Sequence, residues 1–142
     1  MKLLPVAALL ASLLTTSLAF AEASPDAVYQ GLGGKPGIQK LVAALVPGML
    51  ADPRIKEAFK DSDLKNLSMR LEQQFCALSG GPCKYEGKDM KEIHDGMNVT
   101  NFEFNALAED LQIAMEQQGV ASSIQNKLMA KLAPMQKTIV TK

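Results

Sequence analysis

Histidine is nearly absent from this sequence: His94 is the only one among 142 residues, and there is no tryptophan. A lone histidine cannot form a dyad with a second imidazole or share a zinc ion with one, so its partners must be other residue types. Cysteine is scarce as well, because Cys76 and Cys83 are the only two and form no C-x-x-C cluster. A zinc site built on these three residues would still lack a fourth ligand, which makes it an unfavoured interpretation.

An excess of charge of either sign is also missing. The chain has 15 Lys and Arg against 15 Asp and Glu, and removal of the leader described below takes away only Lys2, which leaves 14 against 15. A formal charge of −1 provides no attraction to nucleic acid or to an anionic membrane surface. We therefore expect neither as a partner.

The N-terminus has the pattern of a secretory signal. Lys2 is followed by an apolar stretch without charge, and Ala19-Phe20-Ala21 matches the A-x-A site of a signal peptidase. The stretch is short and rich in Ser, Thr and Ala, which favours cleavage over a retained membrane anchor. We predict a cleavable signal at 1–21 and one domain at 22–142, exported to the periplasm and without a stable membrane anchor.

Export bears on the cysteine pair. In an oxidising compartment a loop through Gly80-Gly81-Pro82 could fold back and close a disulfide between Cys76 and Cys83, which are seven residues apart. Two reduced, partly buried thiols are the alternative, and the sequence alone does not separate the two interpretations.

Apolar residues recur every three or four positions in four segments between the Gly and Pro clusters. The segments are 37–51, 63–78, 101–118 and 121–138, and the third begins with the capping-box pattern Thr100-Asn-Phe-Glu103. Pro47-Gly48 interrupts the first segment, where a kink or a change of direction is expected. No segment shows the period-two alternation of strands, so the sequence predicts an all-α domain.

An ordered set of short motifs runs through the predicted domain. In chain order they are Tyr29-x-x-Leu-Gly-Gly34, Leu50-Ala-Asp-Pro-Arg-Ile55, an Ala-Phe pair ending at Phe59, Gly80-Gly-Pro82, Tyr85-x-Gly87 and Met90-x-x-x-His94. Each motif is weak alone, but the ordered set resembles the group I truncated haemoglobins over about residues 26–140. The resemblance implies a truncated globin fold, a two-on-two helical sandwich around a pocket for b-type haem.

The resemblance makes His94 the proximal ligand of the haem iron. An imidazole nitrogen is a good axial ligand, and the other ring nitrogen then needs an acceptor, most simply a backbone carbonyl one turn earlier. Without the motifs, a lone histidine between Ile93 and Asp95 would be interpreted as a packed or exposed side chain.

Other positions match the haem pocket of the family. Phe59 matches the phenylalanine that packs on the haem ring. Arg70 matches a basic position near a haem propionate, where it would make a charge-assisted hydrogen bond; a solvated helix face is its alternative. Haem-lining roles, which are equally compatible with ordinary core packing, are implied for Leu67, Leu71, Phe75, Met90, Phe104, Leu107, Met129 and Leu132.

The sequence departs from the family on the distal side of the pocket. Many members hold oxygen with a tyrosine on the second helix and a glutamine on the distal helix, and ungapped matching places Val46 and Leu71 there, with Leu67 on the same face. An apolar distal wall of these three residues predicts a five-coordinate ferrous haem that retains oxygen weakly and oxidises easily. An internal sixth ligand from Met69 or Cys76 is the alternative.

These features rank three functions. The first is an exported haem protein that binds oxygen, NO and CO, of the oxygen-transport type rather than an enzyme; we expect a monomer, with an electron donor as a candidate partner. The second is an NO-detoxifying or peroxidase-like haem enzyme using the same iron, which would need a titratable distal group. The third is a haem-free helical interaction domain.

Overall fold

The computed structural model describes residues 23–142, so the signal predicted at 1–21 lies outside the described residues. The described part contains helices and no strand, which confirms the all-α expectation. Eight α-helices are α1 (Ala27–Gly31), α2 (Gly34–Ala51), α3 (Lys56–Phe59), α4 (Leu64–Leu78), α5 (Met90–His94), α6 (Asn101–Gln117), α7 (Ser122–Leu132) and α8 (Gln136–Ile139). No helix among residues 23–142 has the length and hydropathy to cross a membrane.

Three of the helices begin at side-chain caps. Asp63 accepts a hydrogen bond from the backbone N–H of Asn66 at the start of α4, and Asp89 does the same for Glu92 at the start of α5. At the start of α6, Thr100 and Glu103 form the predicted capping box, in which each side chain accepts the other residue's backbone N–H. Each cap satisfies an N–H group that the first helical turn leaves without a partner.

Two prolines have different effects on the helices that contain them. Pro47 lies inside α2, yet the helix continues through it to Ala51. Pro134 divides the segment predicted as one helix over 121–138: α7 ends at Leu132, a single 3₁₀ turn covers Ala133–Met135, and α8 follows. Proline supplies no N–H to the α-helical ladder, which accounts for the tighter turn at this point.

Helix α2 lies at the centre of the packing. It contacts α4 on one side and α6 on another, while α7 packs against both α4 and α6. The two helix pairs α2–α4 and α6–α7 therefore form the predicted two-on-two sandwich. The largest fully buried side chains are Ile38, Leu41, Val42, Leu45, Met49, Met115 and Leu128.

The Asp-Pro-Arg motif joins the end of α2 to α6. The Asp52 carboxylate accepts hydrogen bonds from the backbone N–H of Arg54 at 2.8 Å and from its guanidinium Nε at 2.9 Å, and the same guanidinium pairs with Glu109. These hydrogen bonds from Arg54 lower the pKa of Asp52. Burial raises the pKa of the neighbouring Asp110. The motif thus has a structural role at the α2–α6 junction.

Of the two interpretations of the cysteine pair, the structure has the disulfide. The Cα atoms of Cys76 and Cys83 are 5.7 Å apart, and the bond ties the end of α4 to the loop that leads to α5. Glycine is required inside this loop: a Cβ on Gly81 would lie 2.6 Å from the Cys76 sulfur and 2.5 Å from the Tyr29 ring. Gly80 has φ +85°, a conformation that side-chain-bearing residues rarely adopt.

Reduction of this disulfide is expected to lower the free energy of unfolding by about 2 to 3 kcal/mol, because it releases an eight-residue loop in the unfolded chain. Urea denaturation with and without a reductant measures the change without altering any side-chain volume. The control is Cys83→Ala, whose unfolding midpoint should not respond to reductant. An unchanged wild-type midpoint, in a sample whose two thiols titrate as free, would contradict the expectation.

Candidate functional site

A large apolar cavity lies between the helix pairs. It spans about 930 Å³, a volume that includes the open space at its mouth. Only four of its twenty lining side chains are polar: Arg70, Gln74, Tyr85 and His94. The apolar lining consists of Leu45, Met49, Phe59, Leu67, Leu71, Phe75, Met90, Ile93, Phe104, Leu107, Ala108, Leu111, Met129, Leu132, Met135 and Ile139.

The structure brings almost all the predicted pocket residues to this cavity. All eleven positions proposed to contact the cofactor line it: Phe59, Leu67, Arg70, Leu71, Phe75, Met90, His94, Phe104, Leu107, Met129 and Leu132. They come from five of the helices, so the helical stripes identified in the sequence converge on one space. Their proposed roles toward a bound haem are taken up below.

Val46, which was predicted for the distal wall, is the exception, because it does not line the cavity. It is buried in the core, but the cavity face of α2 is formed by Leu45 and Met49, which are four residues apart. Val46 lies three residues before Met49 and so on a neighbouring part of the same helix surface, yet the structure does not bring its side chain to the lining. The apolar lining residues of α2 and α4 are Leu45, Met49, Leu67, Leu71 and Phe75.

His94 is held in a defined orientation. Its Nδ1 lies 2.7 Å from the carbonyl oxygen of Met90, one turn earlier in α5, as the sequence predicted. The imidazole is half-buried and lines the cavity. Because the carbonyl can only accept, a neutral imidazole that makes this hydrogen bond carries its proton on Nδ1 and has the lone pair of Nε2 for a metal.

Arg70, the cationic side chain in the cavity lining, belongs to a small network of hydrogen bonds. The Arg70 guanidinium Nη1 donates to Oε1 of Gln73 at 3.0 Å, and the backbone N–H of Glu86 donates to the same oxygen at 3.4 Å. The Tyr85 hydroxyl donates to the carbonyl of Lys88 at 3.0 Å, and burial raises its pKa while the charge of Arg70 acts in the opposite direction. This network joins α4 to the loop before α5.

Sequence reasoning missed several lining residues. Gln74 lies three residues after Leu71 on the same helical stripe, but its polarity hid it among the apolar positions. Met135 lies within the helix predicted over 121–138 but was not assigned to the pocket, and Ile139 lies just beyond that helix; the structure places them in the 3₁₀ turn and in α8. Among residues 23–142, no group of three or more His, Cys, Asp or Glu side chains is placed to hold a metal ion.

Comparisons with known proteins identify the family. The model of the bacterial-like globins matches residues 27–141. The group 1 truncated hemoglobin of Tetrahymena pyriformis is 34% identical over 103 residues, which are 72% of this chain and 85% of that protein. That of Mycolicibacterium paratuberculosis is 29% identical over 122 residues, 86% of this chain and 90% of that protein. The chain therefore belongs to the bacterial-like globins and, within them, to the group 1 truncated haemoglobins.

Solved structures agree with this assignment. The crystal structure of the truncated hemoglobin from Tetrahymena pyriformis in the Fe(III) form superposes with a TM-score of 0.78 at 31% identity, covering 81% of this chain and 98% of that one. The two-on-two hemoglobin from Synechococcus sp. has a TM-score of 0.72 at 21% identity, covering 78% of this chain and 94% of that one, and supports the fold alone.

Haem is the cofactor of this family, and the cavity fits it. A porphyrin needs apolar walls, an axial donor and polar groups where its carboxylates emerge. The cavity offers sixteen apolar side chains, one imidazole with an available nitrogen, and Arg70 and Tyr85 as polar lining groups. Haem-based binding of diatomic gases follows from membership of the family.

Proposed function

We propose that this protein is an exported gas-binding haem protein in which His94 is the proximal ligand of a five-coordinate iron. The observation that carries the proposal is the His94 ring inside an apolar cavity, with Nδ1 bound to the Met90 carbonyl and Nε2 left available. The carbonyl fixes the tautomer and raises the donor strength of the ring. The haem supplies the iron at which oxygen, NO or CO binds.

The chain's own residues divide the remaining tasks. Phe59, Phe104 and Leu107 are apolar wall residues that would contact the porphyrin and exclude water. Arg70, oriented by Gln73, is the proposed partner of a propionate. The distal wall we propose consists of Leu45, Met49, Leu67 and Leu71, which offer a ligand no hydrogen-bond donor, while the donors of Arg70 and Gln74 on α4 bond Gln73 and the Met90 sulfur. Met69 and Cys76, the alternative sixth ligands, do not line the cavity.

The apolar wall leads to a prediction about gas selectivity in the ferrous protein. Oxygen should dissociate rapidly, about tenfold to a hundredfold faster than from a relative that donates one hydrogen bond to it, because such a bond to a partly charged ligand is worth about 1.5 to 3 kcal/mol. Carbon monoxide depends less on such donors. Laser photolysis and stopped-flow mixing of the purified holoprotein measure both rates; slow oxygen release would contradict the proposed distal wall.

Export rests on the signal pattern at 1–21, and the disulfide supports it, because such bonds persist in oxidising compartments. We propose a periplasmic domain of residues 22–142 that works as a monomer with an external electron donor. Cell fractionation and the intact mass of the recovered protein test the first part. A protein that stays in the cytoplasm with residues 1–21 still attached would contradict it.

The enzymatic alternative uses the same iron. NO detoxification and peroxidase-like chemistry benefit from a titratable group on the distal side, yet the only titratable lining residue of α2 and α4 is Arg70, whose guanidinium bonds Gln73. No contact in the cavity favours this activity over gas binding. Consumption of NO by the reduced protein with a reductant would separate the two functions.

A further inference from the structure

Gln74 is a polar side chain on an apolar wall. Leu67, Leu71 and Gln74 follow one another at spacings of four and three along α4, so all three share the helix face that lines the cavity. The side chain is half-buried. A polar group in such surroundings is tolerated when it has a partner, so the partner of Gln74 indicates its purpose.

The partners of Gln74 are two sulfur atoms. Its Nε2 donates to Sδ of Met90 at 3.3 Å, and the Met135 sulfur is farther away at 3.8 Å. A thioether is a weak acceptor, and nothing in the helix itself requires this orientation of the amide. The contact to Met90 crosses from α4 to α5, the short helix that ends at His94.

Met90 occupies an unusual position, because it makes both contacts. Its side chain accepts from Gln74, and its carbonyl accepts from Nδ1 of His94 at 2.7 Å. Given the proposed function of His94 as axial ligand, we propose that Gln74 is a positioning residue for the proximal imidazole, acting through Met90. A side chain of α4 thereby influences the proposed bond between His94 and the iron.

The physical basis is the small size of α5. A helix of five residues has almost no stability of its own, so the place of its first carbonyl depends on what anchors Met90 from outside. The Asp89 carboxylate accepts from the backbone N–H of Glu92 and so holds the first turn of α5, and Gln74 holds the Met90 side chain. Without the Gln74 amide, the Met90 side chain is held less firmly. The hydrogen bond from His94 Nδ1 to the Met90 carbonyl then weakens, and with it the strength of the imidazole as a metal ligand.

The test is the iron–histidine stretching frequency of the reduced, ligand-free holoprotein, measured by resonance Raman spectroscopy. Gln74→Leu keeps the size of the side chain and removes the donor, so the frequency should fall. Haem loss to an acceptor globin should become about threefold to tenfold faster, less than the 10–100-fold typical of partners that touch the ligand directly. Gln112→Leu, an exposed glutamine that bonds Glu116 on α6, should change neither.

A second variant shows whether the effect passes through Met90. Met90→Leu removes the sulfur and keeps the carbonyl, and it should shift the frequency as Gln74→Leu does. In the double variant the two shifts should not add, since both remove the same contact. Met90→Leu also provides the measurement if Gln74→Leu does not fold.

The outcomes separate this inference from the function on which it rests. A wild-type protein with no iron–histidine band overturns the axial role of His94, and the positioning role with it. A wild-type band that neither variant moves, or shifts that add in the double variant, overturns the role of Gln74 and leaves the axial role intact. A lower melting temperature with an unchanged frequency marks Gln74 as purely structural.

Discussion

Replacing His94 with glycine is expected to remove the axial bond from the protein and to weaken haem binding by more than about a hundredfold, because loss of a second-shell partner alone costs 10–100-fold. His94 is the only histidine in the chain, so no neighbouring imidazole can take its place. The ring is half-buried at the end of α5, and its removal leaves a gap of its own size facing the cavity. Free imidazole should enter that gap and restore the wild-type optical spectrum.

The matched control is Asp95→Ala, which changes the next residue, an exposed side chain outside the cavity lining. Its reduced and oxidised spectra should equal those of the wild type. Identical spectra for the wild type and His94→Gly, before any imidazole is added, would contradict the axial role. Rescue by imidazole but not by a bulkier imidazole derivative would show that the restored ligand occupies the gap.

Local rules predicted much of the fold. The capping box of Thr100 and Glu103 is a contact between neighbours in sequence, so its residue types suffice to identify it. The acceptor of His94 is also a neighbour in sequence. Side chains in a helix tilt toward its N-terminus, so the backbone carbonyl four residues earlier, that of Met90, lies close to the imidazole. On α4 and α6, the side chains that the family resemblance assigned to the pocket do line the cavity.

The errors have equally physical causes. Ungapped matching placed Val46 in the distal wall, but matching of positions does not specify side-chain direction, and the structure lines the cavity with Leu45 and Met49 of α2 instead. Gln74 was overlooked because periodicity is read from apolar residues, and its partners Met90 and Met135 lie on other elements. Such long-range contacts depend on how α4 packs against α5 and the 3₁₀ turn, and a local sequence pattern holds no information on that packing.

Leu71→Gln is expected to slow oxygen release by about tenfold to a hundredfold, and it tests whether the apolar wall determines gas selectivity. Leu71 lines the cavity on α4, and glutamine has nearly the same length but carries an amide donor. One hydrogen bond to a partly charged ligand contributes about 1.5 to 3 kcal/mol, which accounts for a change of this size. Carbon monoxide is a poorer acceptor, so its release should change much less.

Two controls separate the effect of the amide from the effect of side-chain volume and from that of a polar group outside the cavity lining. Leu71→Met keeps an apolar side chain of similar size and should leave the oxygen rate near that of the wild type. Val46→Thr adds a hydroxyl to a residue that does not line the cavity, and it too should leave the rate unchanged. A slower rate in Val46→Thr would return that residue to the distal wall. Equal rates in Leu71→Gln and Leu71→Met would show that something other than wall polarity sets the release of oxygen.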